Sequence, residues 1–502
     1  MSHNRAGAGA EPWGVGGRPF RRHAPSPFAR ILLVLLLGVM AGSCALETEE
    51  RGTPEAPPRN VILVVVDGMG FNYIDATRLY LGEGVRYQVQ GPPGAVEALP
   101  AEGEPVLSFE DFPVQLAMST HTALGEYDPE RAWSSFEAVK GIEYEPTTVT
   151  GSAASATSLS SGVKTIDPAV GLDAEGEPVL HLAEYAHSLG KAAGVVANVA
   201  LNHATPAGFL AHNGSRNNYH EITREMLFES DATVIMGTGH PFYDDDGERL
   251  DSPRYFWIPE DAWEEVSSEE SEWTLVESRD DFRSLASGPT PERVLGVARA
   301  FNATQFNRDP TPLAESFRDG PSGRVDPLET PFEVPLNEGV PSLAEMTSAA
   351  LNTLENASEE GFFLMVEGGA ADWGGHWNLL GRTIEDMLAV HEAVAAALEW
   401  VESRSNWEET LVVVTSDHET GHLSGPGSGP GWEPLVGRGA GELPEFEWYH
   451  TYHTNQLVPF FARGAGAEGF EGYADNRSDP VRGPFLDNTE VARWIFELWG
   501  RS

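Results

Sequence analysis

Continuous apolar runs alternate along this chain with stretches of helical periodicity. The first run, Val61-Ile62-Leu63-Val64-Val65-Val66, suits a strand buried on both faces of a sheet. Similar runs at 193–199, 232–236, 362–366 and 411–415 predict further strands, and 180–189 and 383–402 between them predict helices. Strands and helices alternating in this way predict an α/β fold, a large and mostly parallel central sheet with helices on both faces. Ligands of such sheets gather at the carboxyl ends of the strands, so the active site is expected there. Two stretches break the pattern. Residues 250–340 are rich in Asp, Glu, Pro and Trp and look like an insertion over the sheet, while Gly and Pro dominate 424–445.

The N-terminal region follows a different logic. Arg18, Arg21, Arg22 and Arg30 precede an apolar run at 31–40, followed by Ala41-Gly42-Ser43-Cys44. Basic, then apolar, then small residues predict an export signal, and the run is too short for a comfortable membrane span. Cys44, the only cysteine, directly follows and resembles a bacterial lipoprotein site, with Ala41 where Leu is usual. The expected organisation is a lipoprotein signal peptide over 1–44 with Cys44 as lipidation and cleavage site, then an acidic, Pro-rich tether over 45–58. A single domain would follow over 59–500. The protein would then be exported to the periplasm or cell surface, touching the membrane only through a lipid.

Composition narrows the function. A hydrophobic fraction of 41% with 13 Trp excludes wholesale disorder. Against 77 Asp+Glu stand 32 Lys+Arg, a net charge of −45 that argues against nucleic-acid binding. A single cysteine excludes an internal disulfide framework and a Cys-based zinc site.

The residues that follow the predicted strands carry the chemistry. After the first come Asp67-Gly68-Met69-Gly70; after 362–366 come Glu367-Gly368-Gly369, then Asp372 and His376; after 411–415 come Ser416-Asp417-His418. Three strands thus deliver carboxylates and imidazoles to one edge. Singly each is weak evidence, since Asp-Gly after a strand is usually a turn. Asp372 and His376, four apart, share a face if helical. Asp417 and His418 reach one ion only if the chain turns there, which Gly421 favours. His453 alone reads as a loop histidine. As a set, free of Cys, they suit borderline or hard divalent ions. The nucleophile candidate, Ser152, lies in Thr150-Gly151-Ser152-Ala153-Ala154-Ser155. Its small neighbours fit close ligand approach at a helix N-terminus, or simply a capping Ser on a tightly packed helix. No Gly-x-Ser-x-Gly elbow surrounds it, so a serine-hydrolase triad is not indicated; a metal that stabilises its alkoxide can activate a Ser instead.

Asp67-Gly68-Met69-Gly70, the stretch 149–165 (VTGSAASATSLSSGVKT), His203-Ala204-Thr205-Pro206, 367–376 (EGGAADWGGH), 415–418 and His453-Thr454 occur in an order that resembles the alkaline phosphatases. That resemblance implies a phosphomonoesterase with two Zn²⁺ and one Mg²⁺, in which Ser152 forms a phosphoserine intermediate and Arg216 grips phosphate. It implies Asp372, His376 and His453 as ligands of one zinc and Asp67, Asp417 and His418 as ligands of the other. Asp67, Thr205 and Glu367 would hold magnesium, with His203 nearby and Trp373 beside the phosphate site. Substrates would be small phosphate monoesters, and a homodimer is among the assemblies the family shows. Gly151 stands where many members carry Asp, which predicts a more mobile Arg216 and weaker phosphate affinity. A phosphodiesterase or sulfatase of the same superfamily, and a non-catalytic metal- or phosphate-binding lipoprotein, are the alternatives.

Overall fold

In the computed structural model, residues 57–138, 148–308, 328–474 and 477–501 are described. Cys44, the export signal and nearly all of the tether lie outside them, as does part of the 250–340 segment. The central sheet has eleven strands. In chain order they are β1 (Asn60–Val66), β2 (Val114–Ser119), β3 (Ala192–Ala200), β4 (Val234–Thr238), β5 (Thr274–Val276), β6 (Val294–Val297), β7 (Phe362–Gly368), β8 (Thr410–Thr415), β9 (Val458–Gly464), β10 (Ser478–Asp479) and β11 (Gly483–Asp487). Across the sheet the order is β10-β11-β2-β9-β8-β1-β7-β3-β4-β6-β5. The seven strands from β8 to β5 run parallel, and β9 pairs antiparallel with both β8 and β2.

The unbroken apolar runs reflect burial on both faces. In β1, Val61, Leu63 and Val65 face one core, and Ile62, Val64 and Val66 face the other. Helices Ser152–Ser161, Leu182–Ser188 and Thr489–Leu498 cover the first face. Helices Phe71–Tyr80, Leu343–Ala357 and Leu380–Arg404 cover the second. Each fully buried Val, Leu or Ile contributes about 1.5–3 kcal/mol, so the central strands dominate stability. Local signals agree with the packing. Helix Leu343–Ala357 starts at a capping box in which Glu345 N donates to Ser342 Oγ and Ser342 N donates to Glu345 Oε2.

The 250–340 segment departs from the expectation of a cover laid over the sheet. It supplies β5, an edge strand of three residues, and β6, the four-residue strand next to it. Strands that short leave too little alternation to be seen in sequence. Among the described residues no helix is long and apolar enough to cross a membrane.

Candidate active site

Strands β8, β1, β7 and β3 are consecutive and parallel, so their carboxyl ends meet at one edge. Asp67 follows β1, Glu367 ends β7, and Asp417 and His418 follow β8. His203 and Thr205 follow β3, on the short helix Ala204–Ala207 and its cap. Gly68 lets the β1 end come close to the next element. Its φ is +78°, and a Cβ there would lie 2.8 Å from Asp372 Cα.

Helix Ala370–Trp377 places Asp372 and His376 one turn apart, with His376 Nε2 3.3 Å from Asp372 Oδ2. The chain bends beyond Thr415, as Gly421 foreshadowed. His418 Nε2 thereby lies 3.3 Å from Asp417 Oδ2 and 3.5 Å from Asp67 Oδ1. A two-residue ladder, Glu419–Thr420 against His453–Thr454, carries His453 into the same edge. Its Nε2 is 3.1 Å from His376 Nε2 and 3.5 Å from Asp372 Oδ1. Both rings are oriented by carbonyls: His453 Nδ1 donates to Thr150 O and His376 Nδ1 to Thr451 O, each at 2.8 Å. The two Nε2 atoms are then bare lone pairs facing each other.

Such an arrangement fits a cation. Both oxygens of Asp67 and of Glu367, Asp417 Oδ2 and Thr205 Oγ1 are buried without a hydrogen-bond partner among the described residues. Buried polar atoms are rarely left so, and converging carboxylates cannot satisfy one another. The donor separations near 3.3 Å match the edge of a tetrahedron whose metal bonds are about 2.0–2.1 Å. Burial, then neighbouring Asp417, raises the Asp67 carboxyl well above its ordinary range. Burial pushes Glu367 up to about 8 and, with Asp372, Asp417 up to about 7. Burial works in the same direction on Asp372, but His376 and His453 outweigh it and hold that carboxyl low. His418 is depressed by burial and then by His453, and His203 by burial and then by Arg216, to about 3. Neutral imidazoles and unpaired carboxylates are ligands waiting for positive charge.

Ser152 opens helix Ser152–Ser161 and is buried beside this set. Its Oγ lies 3.4 Å from His418 Nε2 and accepts from Arg216 Nη1 at 3.3 Å. The small residues around it serve packing as well as access: a Cβ on Gly208 would lie 2.6 Å from Ala156 Cβ, so the helix beds tightly on the turn that carries Thr205. Arg216 has partners in the chain. Its Nη2 donates to His203 Nε2 at 3.2 Å and its backbone N to Pro168 O at 2.8 Å. A carboxylate also stands beside Gly151, supplied from elsewhere in the chain. Asp167 accepts from Gly151 N at 2.5 Å and Ala154 N at 3.2 Å, and a Cβ at 151 would lie 2.9 Å from Asp167 Oδ1. Nothing in the spacing announces Asp167.

Two further supports escaped the sequence reading. Thr420 Oγ1 donates to Asp372 Oδ1 at 2.5 Å. Asn198 bridges Asp386 and Gly369 N at 2.5 and 2.8 Å, fixing the start of the helix that bears Asp372. Trp373 packs with Phe306 and Leu379, and its ring meets His203 edge-on at 6.0 Å. It therefore both fills the core and lines the cavity of about 820 Å³ over Ser152. A fourth His/Glu cluster, His181, Glu184 and His212, is distinct. Its imidazoles stack at 4.3 Å and 10°, so their in-plane lone pairs cannot converge on one ion.

Comparisons with known proteins agree with this geometry. Residues 58–436 match the family model described as alkaline phosphatase. Alkaline phosphatase 4 of Bacillus subtilis is 28% identical, covering 93% of this chain and 94% of its own. The Escherichia coli alkaline phosphatase is 29% identical over 72% of this chain and 70% of its own. In fold, the chain resembles the solved alkaline phosphatase of Thermus thermophilus (TM-score 0.58, 22% identity, covering 93% and 96%). It also resembles that of the Antarctic bacterium TAB5 (0.56, 22%, 89% and 99%), a variant of which is described with Mg bound in a site termed M3. With the model matched over most of the chain, on a sheet and site of this kind, the protein belongs to the alkaline phosphatase family.

Proposed function

We propose that the protein hydrolyses phosphate monoesters through a phosphoserine intermediate on Ser152, using two zinc ions and one magnesium. The observation that carries this reading is the position of Ser152 Oγ, between the His418 imidazole and the Arg216 fork. Ligand assignment is supported by ring geometry. His418 and His453 stack at 3.6 Å and 20°, so their lone pairs serve two adjacent ions and not one. Asp372, His376 and His453 would hold the first zinc; Asp67, Asp417 and His418 the second; Asp67, Thr205 and Glu367 the magnesium. When bound, these ions supply the positive charge that ionises the attacking oxygens and stabilises the leaving one.

The chain's own contribution is positioning. Arg216 presents two parallel N–H groups to phosphate oxygens, a fork that Lys cannot reproduce. His203, neutral, accepts from Arg216 and fixes its plane. Asp167 anchors the first turn of the Ser152 helix, and Ser155 Oγ ties that helix to Asp417 O at 2.7 Å. Ser152 Oγ then attacks phosphorus in line, the P–O bond to the alcohol breaks, and water later cleaves the phosphoserine to release phosphate. Delivery of the domain to the cell envelope by lipidation of Cys44 is part of the same proposal. Labelled fatty acid incorporated by the wild type and lost in Cys44→Ala supports it.

Metal-replete protein should cleave 4-nitrophenyl phosphate in preference to its bis-ester and to 4-nitrophenyl sulfate, and acid quenching should trap phosphate on Ser152. Preference for the bis-ester or sulfate, or full activity of Ser152→Ala, overturns the reading.

A further inference from the structure

Ser152, Arg216 and the metal-ligand candidates Asp372, His376 and His453 account for only part of the cavity lining. Its upper wall is aromatic and comes from Arg254, Tyr255, Phe256 and Trp257 together with Phe301. These rings form a continuous path away from the nucleophile. Arg216 joins Ser152 to His203, whose ring meets Trp257 edge-on at 6.2 Å. Trp257 meets Phe256 edge-on at 4.9 Å, and Phe256 lies 6.4 Å from Phe301. The Arg254 guanidinium sits 3.7 Å over the Phe301 ring.

Two properties set this wall apart from ordinary surface. First, it is rigid. The Trp257 carbonyl accepts from Asn202 Nδ2 at 2.8 Å and from Thr223 Oγ1 at 3.1 Å, while its Nε1 donates to Asn302 Oδ1 at 3.3 Å. Asn302 is itself clamped by half-buried Asp245 through its backbone N at 2.6 Å and its Nδ2 at 2.8 Å. Second, Phe256 is 52% exposed although its neighbour Trp257 is buried. A lone exposed ring needs no explanation, but one continuous with a catalytic cavity and backed by fixed rings is a contact surface.

We infer that Phe256, with Arg254 and Phe301, forms a stacking platform for a planar aromatic group on the leaving alcohol, so that nucleoside 5′-monophosphates are preferred over phosphates of aliphatic alcohols. This rests on the phosphomonoesterase reading above and adds its substrate class. Aromatic faces and guanidinium planes are the surfaces on which nucleobases stack. Charge agrees: the cavity wall carries Arg216 and Arg254 against a single carboxylate, Asp372, itself assigned to a metal.

Adenosine 5′-monophosphate and ribose 5-phosphate test this, because they release the same kind of primary alcohol and differ only in the base. With the metal-replete full-length protein, kcat/KM should favour the nucleotide about tenfold, the scale of one base–aromatic stack. Phe256→Leu keeps apolar bulk without the ring and should bring the ratio close to one, whereas Phe256→Tyr should keep it. Equal kcat/KM values in the wild type, or an unchanged ratio in Phe256→Leu, overturn the platform while leaving phosphatase activity in place. Hydrolysis of neither ester overturns the phosphomonoesterase reading itself, and the platform with it.

Discussion

The buried metal-ligand set, the floor of the site, and the aromatic wall of the cavity are built by opposite means. Asp67, Glu367, Asp417 and His418 are wholly buried, and each sits at or just beyond the end of a central strand whose core residues hold it. Phe256 and Tyr452, at 52% and 59% exposure, come from irregular segments between elements. The floor gathers buried ligand atoms that a cation would complete; the wall is complete without a ligand and offers shape. Chemistry is thus tied to the sheet, where a shift of register would scatter the ligands, whereas substrate choice lies where residues can change without disturbing the strands.

The largest effect should come from breaking the floor. Chelation, or Ser152→Ala, should lower kcat/KM by about 10³-fold or more on nucleotide and aliphatic esters alike. Chelation should also lower the melting temperature, since binding at 100 times Kd is worth about 2.7 kcal/mol. A chelated protein with unchanged melting temperature would mean that the buried carboxylates are satisfied in some other way.

Gly151→Asp tests the edge of the floor. Its Cβ would meet the Asp167 carboxylate at 2.9–3.1 Å and set two like charges together. We expect kcat to fall about tenfold or more, as misplacement of a nucleophile does. Gly151→Asp combined with Asp167→Asn should recover part of it; a tighter-binding, fully active single variant would show that Asp167 moves freely.

Loosening the wall should do less. Asp245→Ala strips Asn302 of its clamp and should cost about 1–3 kcal/mol in stability, measured by denaturant unfolding. It should narrow the nucleotide-to-ribose-phosphate ratio while both esters are still cleaved. The smallest expected effect is that of salt. With a net charge of −45, anionic esters are repelled at long range, so moderate NaCl should raise kcat/KM a few-fold by screening.

Much of the floor was legible because strand ends are marked twice, by an unbroken apolar run and by the charged residues that follow it. Asp67, Glu367, Asp372, Asp417 and His418 all carry that mark, and the i,i+4 spacing of Asp372 and His376 lies on a real helix. His453 carried no such mark, because its place depends on a two-residue ladder in which it pairs with Thr420, far away along the chain. Short ladders leave no periodicity. Asp167 was hidden for the same reason: its carboxylate reaches Gly151 and Ala154 across a loop, and the sequence offered only an empty position before Ser152. The short strands β5 and β6, lost within an acidic and Trp-rich stretch, are a third case.

By itself, then, the sequence determined the central strands and the main helices between them, that those strands are buried on both faces, and which carboxylates and imidazoles they end on. These follow from local patterning and burial, which are written residue by residue. Only the tertiary structure decided the strand order that sets β8, β1, β7 and β3 side by side, the stacking of His418 on His453, and the aromatic wall over Ser152. Each of these depends on contacts between residues far apart in the chain, whose proximity is fixed by packing the whole sheet and by no local signal.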